Sequence, residues 1–451
     1  MTYTTSRTIG TELRRTLRGA VWEFGDDGYD DARTIWNGAV DHRPAVVARC
    51  ADARDVQRAL LAARSHGLPV SVRGGGHDWA GRAIRQSGVV IDLSGLRDVR
   101  IDPANAVAQV QGGVHVSDLL DAAAAHGLAT AAGAVGGVGM VGMTMAGGYG
   151  GLIGRFGLAL DNLISAEVVL ADGSTVLAGP DGDPELLWAL RGGGGNFGVV
   201  TAATFRLHPL GLVLGGMVMY PLEQAGSVLR GYRDVTASAP DELTVMAGLL
   251  TGPGGAPVVF LAPTWSGDLA AGEAAVSPLS RLGTPLMSGI SPMPYPGLVR
   301  MFEAGSAAGN QYALGTRWLT ELTDDTIAAL IEAAVARPSP MSLLAVHQFH
   351  GAASRIAPEA TAFALRRDHL LAEVIGSWPP GHAADPHWQW IADTTDALAP
   401  GAIPGGYPNI LGPGDTDRIR LGFAGNLDRL LAAKHHYDPD GTFTAIAALT
   451  S

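Results

Sequence analysis

Glycine is the feature that most limits what this chain can become. Of its 451 residues 62 are glycine, gathered at 74–76, 133–154 and 192–198 with no collagen-like or repeat period. Each interior glycine costs a helix about 1 kcal/mol relative to alanine. The run Gly133, Gly136, Gly137, Gly139, Gly142, Gly147, Gly148, Gly150, Gly151, Gly154 therefore reads as an extended, irregular segment. Such a segment lies against a ligand or against another backbone. Arg73-Gly-Gly-Gly-His77 follows an expected strand, and three bare N–H groups suit a diphosphate, although a tight turn would look the same. No Walker lysine follows it, and the regular strand–helix frame of a dinucleotide fingerprint is missing. Three glycine segments within about 130 residues point to a long ligand with a pyrophosphate more strongly than any one alone.

The length suggests roughly two or three domains. With 47% hydrophobic and 16% charged residues the chain is globular, and its net charge of −12 argues against nucleic acid and anionic membranes. Cys50 is the only cysteine, which excludes an internal disulfide and a multi-thiolate cluster. The start, Met1-Thr-Tyr-Thr-Thr-Ser-Arg7, has no apolar signal segment, and no run of about 18 apolar residues occurs, so a cytoplasmic protein is expected.

Pro44-Ala-Val-Val-Ala-Arg49 and Pro69-Val-Ser-Val-Arg73 read as strands flanking a helix. Asp52 or Asp55 starts that helix, Val56, Leu60 and Ala63 form its apolar face, and Gly67 closes it. Further strands are expected at 89–93, 99–101, 107–110 and 199–207, a helix at 116–125, and a hairpin of 166–170 and 175–177 around Asp172-Gly173. Many short strands without regular alternation mean α+β. Beyond Pro209 strands are expected at 213–219, 243–249, 258–261 and 343–349, and helices at 324–336, 361–374 and 423–434.

Six motifs occur in order: Val72-Arg-Gly-Gly-Gly-His77, Gly147-Gly-Tyr-Gly150, Arg155-Phe-Gly-Leu-Ala-Leu-Asp-Asn-Leu163, Asp172-Gly173, Leu187-Trp-Ala-Leu-Arg-Gly-Gly-Gly-Gly-Asn-Phe-Gly-Val-Val-Thr201 and Tyr437-Asp-Pro-Asp440. As a set, from about residue 35 to 443, they resemble the vanillyl-alcohol oxidase / p-cresol methylhydroxylase flavoproteins, in particular the berberine-bridge-enzyme-like branch. The resemblance implies a two-part FAD-binding domain of the p-cresol methylhydroxylase type over 1–210. An α+β substrate domain over 211–400 would cover the flavin with an antiparallel sheet, and 401–451 would return to the FAD-binding domain. FAD is the implied cofactor, bonded covalently through its 8α-methyl group to His77. An N-linked substituent there withdraws electrons, raises the flavin potential and favours hydride abstraction. The implied cofactor contacts are Arg73, Gly74, Gly75, Gly76, His77, Asp78, Val135, Val138, Gly139, Gly142, Gly147, Gly148, Gly150, Asn196, Gly198, Val200 and Asn409. Counted back from Gly147, Val135 stands where many relatives carry a second, cysteinyl link, so one covalent bond is expected. Cys50 lies elsewhere, as a small core residue. Val138 falls where relatives gate dioxygen, and valine resembles the permissive form, which favours an oxidase over a dehydrogenase.

Leu344-Ala-Val-His-Gln-Phe-His350 runs into Gly351. Side chains alternate along a strand, so Gln348 and His350 share one face and His347 and Phe349 the other. Relatives carry polar active-site residues two apart just before the glycine, which matches Gln348 and His350. An imidazole titrating near 6.5 suits a general base, and a histidine on a solvated strand is the alternative. Tyr407 and Asn409 resemble the Tyr-x-Asn of relatives, with the tyrosine facing substrate as contact or base and the asparagine near the flavin. Tyr220, Trp265 and Trp390 would line the pocket or pack in the core. Neither His387 nor His435 and His436 has a ligand spacing, so no metal is expected. The tail, Thr442-Phe-Thr-Ala-Ile-Ala-Ala-Leu449, departs from relatives in lacking an asparagine. The implied reaction passes hydride from a small secondary-metabolite alcohol or amine to FAD and then to dioxygen, releasing hydrogen peroxide. A flavin-bearing drug-binding or self-resistance protein, or a dehydrogenase with another acceptor, are the alternatives. The expected partners are that substrate and dioxygen, with no nucleic acid or membrane, in a monomer or homodimer.

Overall fold

The computed structural model describes residues 2–446 and 449. In the first region Val46–Arg49, Val89–Asp92 and Val70–Arg73 run parallel, with Val21–Glu23 antiparallel at one edge. Parallel neighbours need a crossover, and helix Ala53–Ser65 supplies it. The Asp52 carboxylate caps it by accepting from the Asp55 N–H at 2.9 Å, and Val56, Leu60 and Ala63 pack against Val46, Val89 and Ile91. Cys50 is buried in this same core, where burial pushes its thiol pKa up. A second, antiparallel sheet has the order Val99–Asp102, Val107–Gln111, Val199–Arg206, Leu163–Val169, Thr175–Ala178. Gly173, at φ +86°, makes its hairpin turn.

A ten-stranded antiparallel sheet dominates the rest, with Leu243–Thr251, Leu343–Phe349, His369–Trp378 and Gln311–Leu319 side by side at its centre. Helices Ala225–Thr236, Asp324–Val335 and Asp385–Ala397 cover one face. Leu229, Tyr232, Val245, Leu330, Leu344, Val346, Val374 and Trp390 form the core between. Fully burying such a side chain contributes about 1.5–3 kcal/mol. The other face meets the glycine loops. After it the chain adds a short edge strand, Ala402–Ile403, and then packs Leu430, Ala433 and Tyr437 against Leu186, Leu190 and Phe197 of the first region.

Three expected elements differ. Residues 361–374 are not helical: 369 onward is the strand His369–Trp378, buried between two neighbours. A strand covered on both faces reads as a near-continuous apolar run, which periodicity alone does not separate from a buried helix. The expected strand 213–219 is two, Val213–Gly215 and Val218–Pro221, broken at Gly216 with φ +140°. The helix expected at 423–434 is Leu427–Tyr437, set off from Thr416–Phe423 by Ala424 at φ +46°. Among the described residues no helix is long and apolar enough to cross a membrane.

Candidate active site

Between the glycine loops and the ten-stranded sheet lies a cavity of about 1240 Å³. That exceeds the roughly 300–1,000 Å³ of ordinary small-molecule sites. Of the residues expected at a cofactor, Gly74, Gly75, Gly76, His77, Asp78, Val135, Val138, Gly139, Gly142, Gly198, Val200 and Asn409 line it. The glycines have two reasons to be there. At Gly75 and Gly139 two backbones cross: a Cβ on Gly75 would sit 2.4 Å from the Gly139 nitrogen. At Gly142 a Cβ would meet nothing within 4 Å, so its absence leaves open a cradle facing the cavity. Backbone N–H groups set around a space of this size fit a dinucleotide such as FAD.

His77 lines the cavity with its ring lying on Trp36. Part of the ring faces the cavity, yet enough protein encloses it that burial pulls its pKa down to about 4. It is therefore neutral at physiological pH. Asp78 is held by Arg82, whose guanidinium reaches it at 2.5 Å.

Five of the expected cofactor residues do not face this cavity. Arg73 turns its guanidinium to the Ala32 carbonyl at 2.5 Å and stands 3.7 Å from Asp92, lining a smaller neighbouring space of about 430 Å³ that also borders His77. Gly147 and Gly148 make the seat of Tyr407 instead. A Cβ on Gly147 would lie 2.6 Å from the phenol ring, and the Gly148 N–H donates to the Tyr407 oxygen at 2.8 Å. Gly150 packs on a carbonyl, with a Cβ position 1.8 Å from the Ala132 oxygen. Asn196 is fully buried. Its amide donates to Gly193 at 2.9 Å and accepts from the Ile446 N–H at 3.0 Å, clamping the tail. Lys434 completes the clamp by donating to the carbonyls of Asn196 at 2.8 Å and Phe443 at 2.6 Å. So held, Phe443, Thr444, Ala445 and Ile446 line the cavity although the tail departs from the relatives' sequence.

The sheet-side wall is apolar and rich in methionine: Met217, Met219, Met246, Leu250, Phe260, Leu314, Leu343 and Ile375. Its ionisable pair is His347 and Glu373, on adjacent strands, with Nε2 and Oε2 3.4 Å apart and side chains only 15% and 14% exposed. Gln348 and His350, expected at the site, do not line the cavity. Gln348 accepts from the Val245 N–H at 3.1 Å. His350 hydrogen-bonds Thr244 at 3.1 Å and presses on Gly154, where a Cβ would lie 2.4 Å from its ring. Leu344 and Val346, on the face of Gln348, belong to the core beneath the helices, which fixes the direction of Gln348, while His350 lies past the end of the strand. Tyr220, Trp265 and Trp390 lie in that core too.

The Tyr407 oxygen accepts from the Gly148 N–H and from the Asn409 amide, both at 2.8 Å. Burial pushes its pKa up to about 12, with the Glu373 charge adding to the rise and the two donors opposing it. Beside it, 4.9 Å between ring centroids, is Tyr149. The His369 Nδ1 lies 2.7 Å from the Arg367 carbonyl, which only accepts, so Nδ1 carries the proton. Nε2 then accepts from the Tyr149 hydroxyl at 2.9 Å.

Residues 44–179 match the FAD binding domain family. The (R)-6-hydroxynicotine oxidase of Paenarthrobacter nicotinovorans is 39% identical over 195 residues, 43% of each chain. The crystal structure of 6-hydroxy-D-nicotine oxidase from Arthrobacter nicotinovorans is similar with a TM-score of 0.86 at 27% identity, covering 95% of this chain and 97% of that one. Glucooligosaccharide oxidase from Acremonium strictum, which carries a 6-S-cysteinyl, 8α-N1-histidyl FAD, shares the fold with a TM-score of 0.83 at 23% identity, over 96% and 97% of the two chains. A cradle sized for a dinucleotide thus sits inside a domain matched as FAD-binding, in an architecture shared end to end with flavoprotein oxidases. Residues 44–179 are an FAD binding domain, and along its length the chain is similar to FAD-linked oxidoreductases.

Proposed function

We propose that the protein is an oxidase that holds FAD covalently on His77 alone. It oxidises a small, mainly apolar alcohol or amine with dioxygen and releases hydrogen peroxide. The observation that carries this reading is a single cavity shared by His77, the glycine cradle, Tyr407 and the His347–Glu373 pair. In it, residues 1–210 and 401–451 hold the cofactor and 211–400 the substrate. When bound, FAD supplies the hydride acceptor and hands the electron pair to dioxygen.

The neutral His77 ring is a nucleophile ready for the single link, and Val135, at the place of a second link, has no thiol to offer. Val138 lines the cavity, and on this reading its short side chain admits dioxygen to the reduced flavin. A phenol whose pKa is pushed up to about 12 rests protonated, so Tyr407 donates a hydrogen bond to the substrate heteroatom. His347, beside the Glu373 carboxylate, takes the substrate proton. Methionine and aliphatic walls fit an apolar body and offer an oligosaccharide few hydrogen bonds.

Acid precipitation tests the link: wild type keeps its yellow colour in the pellet, His77→Ala does not, and the adduct maps to the His77 peptide. Peroxide release in air, across apolar alcohols and amines, tests the activity. Flavin that bleaches anaerobically yet stays reduced in air would make the protein a dehydrogenase. Ligand binding with neither bleaching nor peroxide would make it a binding protein.

A further inference from the structure

Trp36 ties His77 to the far side of the molecule. Its ring stacks on His77, with centroids 4.1 Å apart and planes at 16°, and on Tyr312, at 3.8 Å and 19°. Two rings at those distances cannot share one face, so the indole is sandwiched. Tyr312 belongs to the strand Gln311–Leu319 of the ten-stranded sheet. The polar groups of Trp36 are all engaged. Its N–H donates to Gly76 at 2.9 Å, its carbonyl accepts from Gly309 at 3.0 Å, and its indole N–H donates to Ser306 at 2.8 Å. Asn37 extends the tie, donating to the carbonyls of Trp79 at 2.6 Å and Tyr312 at 2.9 Å and accepting from the Tyr312 N–H at 2.9 Å. One short segment thus bonds the histidine loop on one side and the substrate-side sheet on the other.

We propose that Trp36, clamped by Tyr312, is a positioning residue for covalent flavin attachment: it fixes the plane of the His77 ring, so that the bond forms only once the ten-stranded sheet is docked over the glycine loop. The proposal rests on the reading of His77 as the attached residue. In the net reaction the imidazole N–H bond and one 8α-methyl C–H bond break and one N–C bond forms. The electron pair and two protons pass to the flavin ring and from it to dioxygen, leaving hydrogen peroxide. A reaction of this kind is sensitive to alignment, since a misplacement of about 1 Å can cost on the order of 10²-fold in rate. The enclosure that Trp36 provides also keeps water from the ring and the imidazole unprotonated. Around it, Asp78 favours the charged form and His115 opposes it, while Arg73 and Glu303 face the smaller adjoining cavity.

The test purifies wild type, Trp36→Leu, Trp36→Phe and Tyr312→Leu as expressed. Total FAD is read by absorbance, and the covalent fraction by acid precipitation, through a time course in air from pH 5 to 8. Trp36→Leu should bind FAD but attach it at least about 10-fold more slowly, and Trp36→Phe, which restores a ring to the stack, should recover most of the rate. With water admitted, the His77 pKa rises toward its ordinary value near 6.5, so attachment in Trp36→Leu should fall off below about pH 6.5 while wild type stays flat. A Trp36→Leu protein that attaches flavin at the wild-type rate and pH profile overturns the proposal. Should that variant fail to fold, Tyr312→Leu decides: wild-type attachment there overturns it equally. A wild type with no covalent flavin instead defeats the reading of His77, which the same acid precipitation shows separately.

Discussion

The cavity has two walls of opposite construction. On the side of Gly75, Gly139 and Gly142 the main chain faces the interior, and what matters is the absence of side chains. On the side of the ten-stranded sheet the main chain is consumed in the ladder, and only alternate side chains reach the cavity, among them Ala345, His347, Glu373 and Ile375. A wall of backbone offers the same N–H groups whatever its sequence, which suits a fixed cofactor. A wall of side chains can be rewritten one residue at a time without disturbing the sheet, so in the proposed function substrate choice is assigned there. The seat of Tyr407 joins the two: its hydroxyl accepts from the backbone of Gly148 while the Glu373 carboxylate acts on it from the sheet.

The largest effect should come from closing the backbone wall. Gly75→Val places a branched side chain where even a Cβ would lie 2.4 Å from the Gly139 nitrogen. The two loops must part, and the purified protein should be colourless, with flavin below a tenth of the wild-type content by absorbance. Full flavin incorporation would mean that the crossing of these loops is not what shapes the cradle.

Next in size is the polar pair. If His347 takes the substrate proton, His347→Ala should slow anaerobic flavin reduction by about 10²–10⁴, the usual worth of general base catalysis. Covalent flavin content should stay intact, because the side-chain wall leaves the cradle alone. Tyr407→Phe separates orientation from proton transfer. It should chiefly raise KM, whereas His347→Ala should lower the reduction rate at saturating substrate. A His347→Ala variant that reduces its flavin at the wild-type rate places the base elsewhere.

This contrast also explains what could be read from the sequence. The cradle was legible because its signals are local: a glycine triplet, a histidine directly after it, and a count from Gly147 back to Val135 each lie within one segment. The sheet-side wall depends on a neighbour. Alternation sorts Leu343–Phe349 into two sets but does not say which set is inside. Leu344 and Val346 settle it, since two large apolar residues on one face mark the core and leave Ala345 and His347 to the cavity. Choosing Gln348 and His350 by their distance from Gly351 passed over that pattern. Glu373 was invisible for a related reason. The run Leu370-Leu371-Ala372 before it and Val374-Ile375 after it is as apolar as a buried helix, and only the pairing of Ala345 with Glu373 brings the carboxylate beside His347. Asn196 shows the reverse failure, a motif residue whose place in the motif reflects clamping of the tail.

The smallest effect on rate belongs to His350→Ala. Because its ring packs on Gly154 and Thr244 and does not line the cavity, the variant should reduce its flavin within about twofold of wild type, far from the 10²–10⁴ expected of a general base. Its consequence should be in stability. Removing the ring leaves the buried Thr244 hydroxyl without that partner, at about 1–3 kcal/mol. The pH dependence has a definite sign. Burial lowers the His350 pKa, so the unfolded chain takes up this proton more readily than the folded one. Stability from this group is complete above the unfolded value near 6.5 and is lost as pH falls below it. One such group contributes at most about 1.4 kcal/mol per pH unit. Wild type should therefore lose melting temperature more steeply than His350→Ala between about pH 6.5 and 5, so the gap between the two narrows toward acid. A gap that holds constant would show that the fold leaves the pKa of the ring where it is in the unfolded chain, and a large loss of reduction rate would return His350 to the active site.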